Sequence, residues 1–219
     1  MLLILLDVAG DASEAMPVAA EVQELLHTRG PELFGGEEVN EADAIAELVL
    51  LMNRAILAAG ERLRHTPAFV ACYNEPLGVL TYINAGHTPG LLKDENSVEL
   101  LAANGLPLGL FSHSTHDAQI AVIAPNAKVL LVSRGLIETR SGREEFGLER
   151  LCRFFQQSAA TTAPRLCEEI LNEVSEFIHA GNSGLVGRIR KITSSDRIDN
   201  DVTAVAFGRR AVAAAAKAT

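Results

Sequence analysis

The middle of the chain has the clearest alternation of hydrophobic and polar positions. Residues 79–83 (Val-Leu-Thr-Tyr-Ile) have a period of two and stop at a loop, Asn-Ala-Gly-His-Thr-Pro, at residues 84–89. A second hydrophobic run at residues 69–73 is separated from the first by Asn-Glu-Pro at residues 74–76, which favour a turn. The pattern predicts a β-hairpin that leads into a tight loop, with a strand resuming at residues 91–92.

Upstream of this hairpin the pattern predicts one strand and two helices. Five hydrophobic residues at positions 2–6 end at Asp7 and indicate a buried strand. A helix is predicted from about Ser13 to His27, where hydrophobic residues recur on one face, and a loop is predicted over residues 30–36. A second helix is predicted over residues 40–60, because an asparagine suited to the N-cap opens it and a glycine closes it. Its hydrophobic stripe is Ile45, Val49, Met52 and Ile56.

Downstream of the hairpin, strands are predicted over residues 98–101, 120–123, 128–132 and 199–207. Helices are predicted over residues 148–157 and 164–179, and Pro164 suits the first helical position of the second. Strands in hairpins and helices in pairs favour an α+β fold over a doubly wound parallel sheet. We expect one domain over residues 1–208, followed by an alanine-rich, disordered tail over residues 209–219.

Composition narrows the class of partner. The formal net charge is −9, which argues against nucleic acid or an anionic membrane surface as the partner, since both select basic faces. The hydrophobic start is cut short by Asp7 and has no basic flank, so it is predicted to be neither a signal peptide nor a membrane span. The three cysteines lack metal-ligand or redox spacing and are predicted to be buried free thiols in a reducing cytoplasm.

Several short motifs occur in a fixed order along the chain. They are Asp-Val-Ala-Gly-Asp at 7–11, Asn-Ala-Gly-His-Thr-Pro at 84–89, Gly-Leu-Pro-Leu-Gly at 105–109, Ser-Arg-Gly-Leu-Ile-Glu-Thr-Arg at 133–140, Glu-Phe-Gly-Leu-Glu-Arg-Leu at 145–151 and Asp-Asn-Asp-Val-Thr at 199–203. In order and spacing the set resembles the metal-dependent protein phosphatase superfamily (PPM, type 2C-like). More narrowly, it resembles the bacterial SpoIIE/RsbU-type serine phosphatase branch.

The resemblance implies both a fold and a chemistry. The fold would be a four-layer α/β/β/α sandwich, in which two antiparallel sheets are flanked by helices, without the family's first N-terminal strands. The chemistry would be hydrolysis of phosphoserine or phosphothreonine with a pair of Mn²⁺ or Mg²⁺ ions. Hard dications prefer oxygen ligands, and such a pair activates a bound water as the nucleophile.

The family's metal-binding positions transfer to this chain incompletely. Asp7 matches the first acid and is the candidate catalytic and metal-binding residue, with the Val8 carbonyl as a neighbouring ligand. Arg134 stands where the family has a further acid, and Asn200 stands where it has the last one. Asp201 keeps the second position of that final pair, and an earlier Gly-Gly-Asp motif has no counterpart.

These replacements change the charge balance of the expected site. Two like unit charges about 4 Å apart repel by about 4 kcal/mol at an effective dielectric constant of about 20. With only two acids and one guanidinium, a pair of dications would be left far from neutral, so Mn²⁺ or Mg²⁺ binding is expected to be weak or absent. Two positions of Arg134 stay open: its guanidinium pairs with Asp7, or it turns outward to solvent.

Other polar residues are weaker candidates for a catalytic or metal-binding role. His87 is either a general acid or a structural hydrogen-bonding residue of its loop. His113, His116 and Asp117 are close enough in sequence to suggest a metal site, although such a loop is more often simply polar. Ser133 lacks the glycine of a nucleophile elbow and has no evident histidine partner, which argues against a serine hydrolase.

Three functions follow as expectations. The first is a catalytically impaired domain, a pseudophosphatase, that acts by binding in sigma-factor partner switching. The family then implies a phosphorylated anti-sigma-factor antagonist (STAS-like) or a kinase-type regulator as partner, in the cytoplasm. The second is an active Mn²⁺/Mg²⁺-dependent phosphatase whose N-terminal part is missing from this chain. The third is a non-enzymatic assembly module, in which an exposed sheet edge forms a homodimer.

Overall fold

The computed structural model describes residues 1–8, 12–36, 38–59, 65–181 and 201–211. In these ranges the strands are β1 Leu2–Leu6, β2 Ala68–Asn74, β3 Val79–Ala85, β4 Gly90–Lys93, β5 Val98–Leu101, β6 Gln119–Val122, β7 Lys128–Val132, β8 Arg140–Ser141, β9 Glu144–Glu145 and β10 Ala204–Gly208. The helices are α1 Ala12–Phe34, α2 Glu41–Ala58, α3 Arg134–Ile137, α4 Leu148–Gln157 and α5 Ala163–Gly181.

The strands form two larger antiparallel sheets and one short ribbon, and helices pack against each larger sheet. This arrangement confirms the predicted α+β class with two antiparallel sheets flanked by helices. The chain divides into two compact units, which are described separately below. Unit 1 comprises Met1–Pro89 and Leu101–Val122, and unit 2 comprises Gly90–Leu100 and Ile123–Thr219.

The sheet of unit 1 has the strand order β1-β2-β3-β6. Its centre is the predicted hairpin, in which β2 and β3 pair antiparallel from Phe69 opposite Asn84 to Asn74 opposite Val79. β1 also pairs antiparallel with β2, from Leu2 opposite Cys72 to Leu6 opposite Ala68. Because β1 and β3 are both antiparallel to β2, their carboxyl ends lie at the same end of the sheet.

Helix α2 follows the sequence prediction closely. The side chain of its N-cap, Asn40, accepts hydrogen bonds from the backbone N–H groups of Ala42 and Asp43 at 3.2 and 3.4 Å. The predicted stripe is buried and packs against β2 and β3. It is part of a hydrophobic core that consists of Val18, Val22, Ile45, Leu48, Val49, Met52, Ile56, Ala68, Val70, Cys72, Ile83, Ala85 and Leu108.

Helix α1 is longer than its sequence predicts. The expected loop over residues 30–36 is wrong for its first part, because the helix continues through Gly30 and Pro31 to Phe34. A proline inside a helix costs a backbone hydrogen bond. Leu33 and Phe34 pack against the core of unit 1, and their burial offsets that cost.

The sheet of unit 2 has the strand order β10-β7-β4-β5. β7 is central and pairs antiparallel with both β10 and β4. Helices α4 and α5 cover this sheet through a second hydrophobic core, whose largest aromatic members are Phe146, Phe155 and Phe177. β6 and β7 follow one another along the chain, as predicted, but they belong to different sheets.

The cysteines are free, as predicted, but only Cys72 is fully buried. Burial raises the pKa of Cys72, Cys152 and Cys167 above the ordinary value of a thiol, which makes all three poor nucleophiles at neutral pH. In the parts of the chain that are described, no helix is both long and hydrophobic enough to cross a lipid bilayer.

The side chain of Asn53 joins α2 to the loop that follows Gly105. Asn53 is fully buried, donates from Nδ2 to the Phe111 carbonyl at 2.9 Å, and accepts at Oδ1 from the Gly109 N–H at 2.8 Å. Leu108, which directly precedes Gly109, is also fully buried. The side-chain amide of Asn53 therefore donates one hydrogen bond to this loop and accepts another from it.

We expect Asn53→Ala to lower the free energy of unfolding by about 2–4 kcal/mol, because a buried N–H and a buried carbonyl both lose their partner. Urea denaturation followed by circular dichroism measures the change. Arg54→Ala, at the next and exposed position of the same helix, is the control and should change stability by no more than about 0.5 kcal/mol. Equal effects of the two variants would contradict this role of Asn53.

Candidate functional site

Asp7 lies directly after β1, where the backbone is fixed by a hydrogen bond from the Asp7 N–H to the Pro67 carbonyl at 3.0 Å. Its carboxylate Oδ2 lies 3.3 Å from Nε2 of His87, the histidine of the loop after β3. The Asp7 side chain is 21% exposed, whereas that of His87 is 1% exposed. Val8, the predicted backbone ligand, follows and is half-buried, and residues 9–11 lie outside the described ranges.

The loop that carries His87 is held by Asn84, which is fully buried. Asn84 Oδ1 accepts from the His87 N–H at 2.8 Å, and Asn84 Nδ2 donates to the carbonyls of Leu101 and Thr88 at 3.1 and 3.4 Å. Gly86 has a positive φ of 71°, and a Cβ there would lie only 2.5 Å from Cγ of Pro107. The motif Asn-Ala-Gly-His thus serves to orient an imidazole.

The His87 ring contacts different groups at its two nitrogens. Nδ1 lies 3.1 Å from the carbonyl oxygen of Thr88 and 3.0 Å from its hydroxyl. Nε2 is buried beside Asp7 and has no hydrogen bond of acceptable geometry to any described residue. The structural hydrogen bonds predicted for His87 are therefore present, but its position beside Asp7 was not predicted.

Strand order is the signal that would have predicted this proximity. The sequence indicates that Asp7 and His87 each follow a strand, but it does not show that β2 lies between those strands. Once the order β1-β2-β3 is known, the antiparallel pairings place the carboxyl ends of β1 and β3 at the same end of the sheet.

Unit 2 contains the other predicted site residues. Arg134 opens the short helix α3, its side chain is 56% exposed, and its Nε lies 2.6 Å from Oε1 of Glu138. Asp201 is exposed, and its carbonyl accepts from the Ser133 hydroxyl at 2.9 Å. Asn200 lies outside the described residues. The predicted pairing of Arg134 with Asp7, which lies in the other unit, stays a prediction.

Ser133 has a structural role that agrees with the argument against a serine nucleophile. Its hydroxyl donates to the Asp201 carbonyl and accepts from the Thr203 N–H at 3.0 Å, and its own N–H donates to the Thr203 carbonyl. These bonds fix the segment before β10 to the end of β7.

The suggested metal site at His113, His116 and Asp117 is wrong for the described structure. The His116 Nε2 donates to the Leu106 carbonyl at 2.7 Å, and the ring packs where a Cβ on Gly105 would lie. His113 is exposed and stacks obliquely with Phe111. Within the described ranges no three side chains of His, Cys, Asp or Glu are grouped to hold a metal ion.

Comparison with known proteins identifies the class and then the family. The fold is similar to the SiaA-PP2C domain of Pseudomonas aeruginosa, with a TM-score of 0.70 and 14% identity over 94% of this chain and 74% of that one. It is also similar to the PP2C phosphatase domain with a regulatory fragment of SpoIIE from Bacillus subtilis, with a TM-score of 0.67 and 18% identity over 94% and 53%. The fold is therefore that of PP2C-type phosphatase domains.

A third similar structure contains the RsbU and RsbW domains of Rv1364c from Mycobacterium tuberculosis, with a TM-score of 0.62 and 23% identity over 79% of this chain and 47% of that one. This chain thus spans about half the length of two of these three proteins. A search of the curated proteins finds no match. The family model described as Stage II sporulation protein E (SpoIIE) matches residues 1–209, so the chain belongs to the SpoIIE family.

Asn84→Asp tests the amide that orients the His87 loop. The new carboxylate keeps an acceptor for the His87 N–H, but it replaces a donor to the Leu101 and Thr88 carbonyls with negative charge. We expect the free energy of unfolding to fall by at least about 2 kcal/mol. Thermal and urea denaturation measure it, with Asn96→Asp as the matched change at an exposed position. Similar losses in both variants would contradict the role assigned to the Asn84 amide.

Proposed function

We propose that this SpoIIE-family domain acts in phosphorylation-controlled signalling by binding a phosphorylated protein, with strongly impaired hydrolysis. The observation that carries the proposal is Arg134. It stands where the family resemblance expects a metal-binding acid, and its half-exposed side chain contacts Glu138. A guanidinium binds phosphate oxygens directly through charge-assisted hydrogen bonds, without a metal ion.

The donor set argues against the family's two-ion site. A pair of Mn²⁺ or Mg²⁺ ions requires several carboxylates, whereas the chain has Arg134 and Asn200 at two of the expected acid positions. In unit 1 a buried imidazole nitrogen, which is not a ligand that hard dications prefer, lies beside the Asp7 carboxylate. The residues present do not fit two hard dications, and we derive no hydrolytic step through them.

The relatives support regulatory binding and keep one alternative open. One related structure combines RsbU and RsbW domains, which supports a kinase-type regulator or a phosphorylated, STAS-like anti-sigma-factor antagonist as partner in sigma-factor partner switching. Another, RsbX, is described in complex with magnesium. The alternative is therefore an active phosphatase in which Asp7, the Val8 carbonyl, Asn200 and Asp201 hold one weaker ion.

Restoring acids at positions 134 and 200 tests whether their replacement impairs hydrolysis. We expect the wild-type chain to hydrolyse a phosphoserine peptide slowly with Mn²⁺, and the double variant Arg134→Asp, Asn200→Asp to be at least tenfold faster, because it restores two carboxylate ligands. Phosphate release at increasing Mn²⁺ concentration measures both. Arg140→Asp makes the same charge change as Arg134→Asp at another exposed arginine and should have no effect. A wild-type rate that the double variant does not exceed would overturn the proposed impairment.

Self-association is a second candidate, favoured by one observation. β1 is one of the two edge strands of the described sheet in unit 1, and its five hydrophobic residues are only partly buried. Such an edge can pair with a second copy of the chain. We expect light scattering to show a mass that rises toward that of a dimer with concentration. A constant monomer mass up to several hundred micromolar would exclude this homodimer.

A further inference from the structure

A chemically labile dipeptide lies next to the loop that carries His87. Asn104 is the one asparagine in the sequence that a glycine follows. In an Asn-Gly pair the backbone nitrogen of the glycine can attack Cγ of the asparagine, because the glycine has no side chain to hinder the approach. Asparagine is also one of the thermolabile residue types. Asn104 is exposed, so water and hydroxide can reach the pair from solvent.

The fold requires both members of this pair. The Asn104 side chain accepts at Oδ1 from the Asn84 N–H at 2.9 Å and donates from Nδ2 to the Asp117 carbonyl at 2.6 Å, and an amide provides both functions. Gly105 packs against His116, and a Cβ at position 105 would lie 2.3 Å from Cδ2 of that ring. A less reactive residue at either position would lose a hydrogen bond or clash, so the structure retains the labile pair.

The same contacts restrain the reaction of the pair. The N–H groups of Asn104 and Gly105 both donate to the Asn84 carbonyl, at 3.0 and 3.2 Å. Ring closure must bring Cγ of Asn104 into bonding contact with the Gly105 nitrogen, and that nitrogen must give up its proton. The two side-chain hydrogen bonds oppose the movement of Cγ, and deprotonation removes a donor to the Asn84 carbonyl. The reaction therefore proceeds from a locally opened loop, which is a minor state of the folded chain.

We propose that Asn104 is a spontaneous deamidation site that is controlled by opening of the loop held by Asn84, and that its product loosens this loop. The Gly105 nitrogen forms a bond to Cγ of Asn104, the Cγ–Nδ2 bond breaks, and ammonia leaves with the proton of the Gly105 N–H. Water then opens the succinimide ring to aspartate or isoaspartate. The inference concerns a covalent modification and does not depend on phosphoprotein binding or hydrolysis, so it goes beyond the proposed function.

Either product disturbs the hydrogen bonds of Asn84. An aspartate at position 104 places a charged oxygen where Nδ2 donates to the Asp117 carbonyl, so a donor is replaced by a second acceptor. An isoaspartate lengthens the backbone between two residues whose N–H groups share the Asn84 carbonyl. Because Asn84 Oδ1 accepts from the His87 N–H at 2.8 Å, weakening these contacts also weakens the restraint on His87.

The first test compares deamidation in the folded and the unfolded chain. The full chain is incubated at mildly alkaline pH with and without a denaturing concentration of guanidinium chloride, and peptide mapping by mass spectrometry measures conversion at each asparagine. We expect Asn104 to react fastest of the asparagines in the unfolded chain and at least about tenfold more slowly in the folded chain. An unreactive Asn104 in the unfolded chain, or equal rates in the two states, would overturn the proposal.

The second test asks whether the Asn84 loop controls the reaction. Asn84→Asp removes the donor to the Leu101 and Thr88 carbonyls and should raise the rate at Asn104 in the folded chain at least about fivefold. Asn53→Ala removes a different buried amide of unit 1 and is the control for general destabilisation. After correction for the measured stability of each variant, equal acceleration by the two would reject control by the Asn84 loop.

The third test uses Asn104→Asp, which reproduces one product directly. Hydrogen exchange of the His87 N–H should be at least about fivefold faster than in the wild type, whereas exchange in β7 of unit 2 should be unchanged. Asn96→Asp makes the same change at another exposed position and should leave both rates unaltered. Unchanged exchange of the His87 N–H in Asn104→Asp would reject the coupling. No measurement here involves phosphate or a metal ion, so its outcome is independent of the phosphatase assay.

Discussion

The hydrogen bonds of one buried amide determine the geometry on which the candidate site depends. Asn84 is the next-to-last residue of β3. It accepts from the backbone of His87 and donates to the Leu101 and Thr88 carbonyls, so it fixes the loop that follows the strand. The backbone N–H of Asn84 also donates to Oδ1 of Asn104, and its carbonyl accepts from the N–H groups of Asn104 and Gly105. A loop held at this many points keeps its imidazole in one orientation, which a flexible loop could not do.

Charge is the physical basis of the proposal that this phosphatase fold binds a phosphorylated partner with impaired hydrolysis. Carboxylates at strand ends hold dications only when enough of them converge, and a guanidinium at one of those positions both removes a ligand and adds a positive charge. Arg134 therefore disfavours a two-ion centre in the same step that introduces a group suited to phosphate.

The fold was predictable wherever local signals and burial agreed. The Asn40 cap and the hydrophobic stripe of α2 predicted that helix, and the alternation at residues 79–83 predicted β3. The end of α1 was not predictable, because Gly30 and Pro31 are local helix breakers that the burial of Leu33 and Phe34 overrides. The assignment of β6 and β7 to different sheets also has no local signature, since each has the same strand pattern.

The sequence by itself determined the motifs, the family they resemble and the charge balance of the expected site, because these depend only on residue identity and order. Only the tertiary structure decided that His87 lies against Asp7, since their distance is fixed by the order of strands that pair across a long separation in sequence. It also decided which nitrogen of that ring faces the carboxylate. The physical reason is that the carbonyl and the hydroxyl of Thr88, placed by the fold, hold Nδ1 on their side of the ring, so Nε2 faces Asp7.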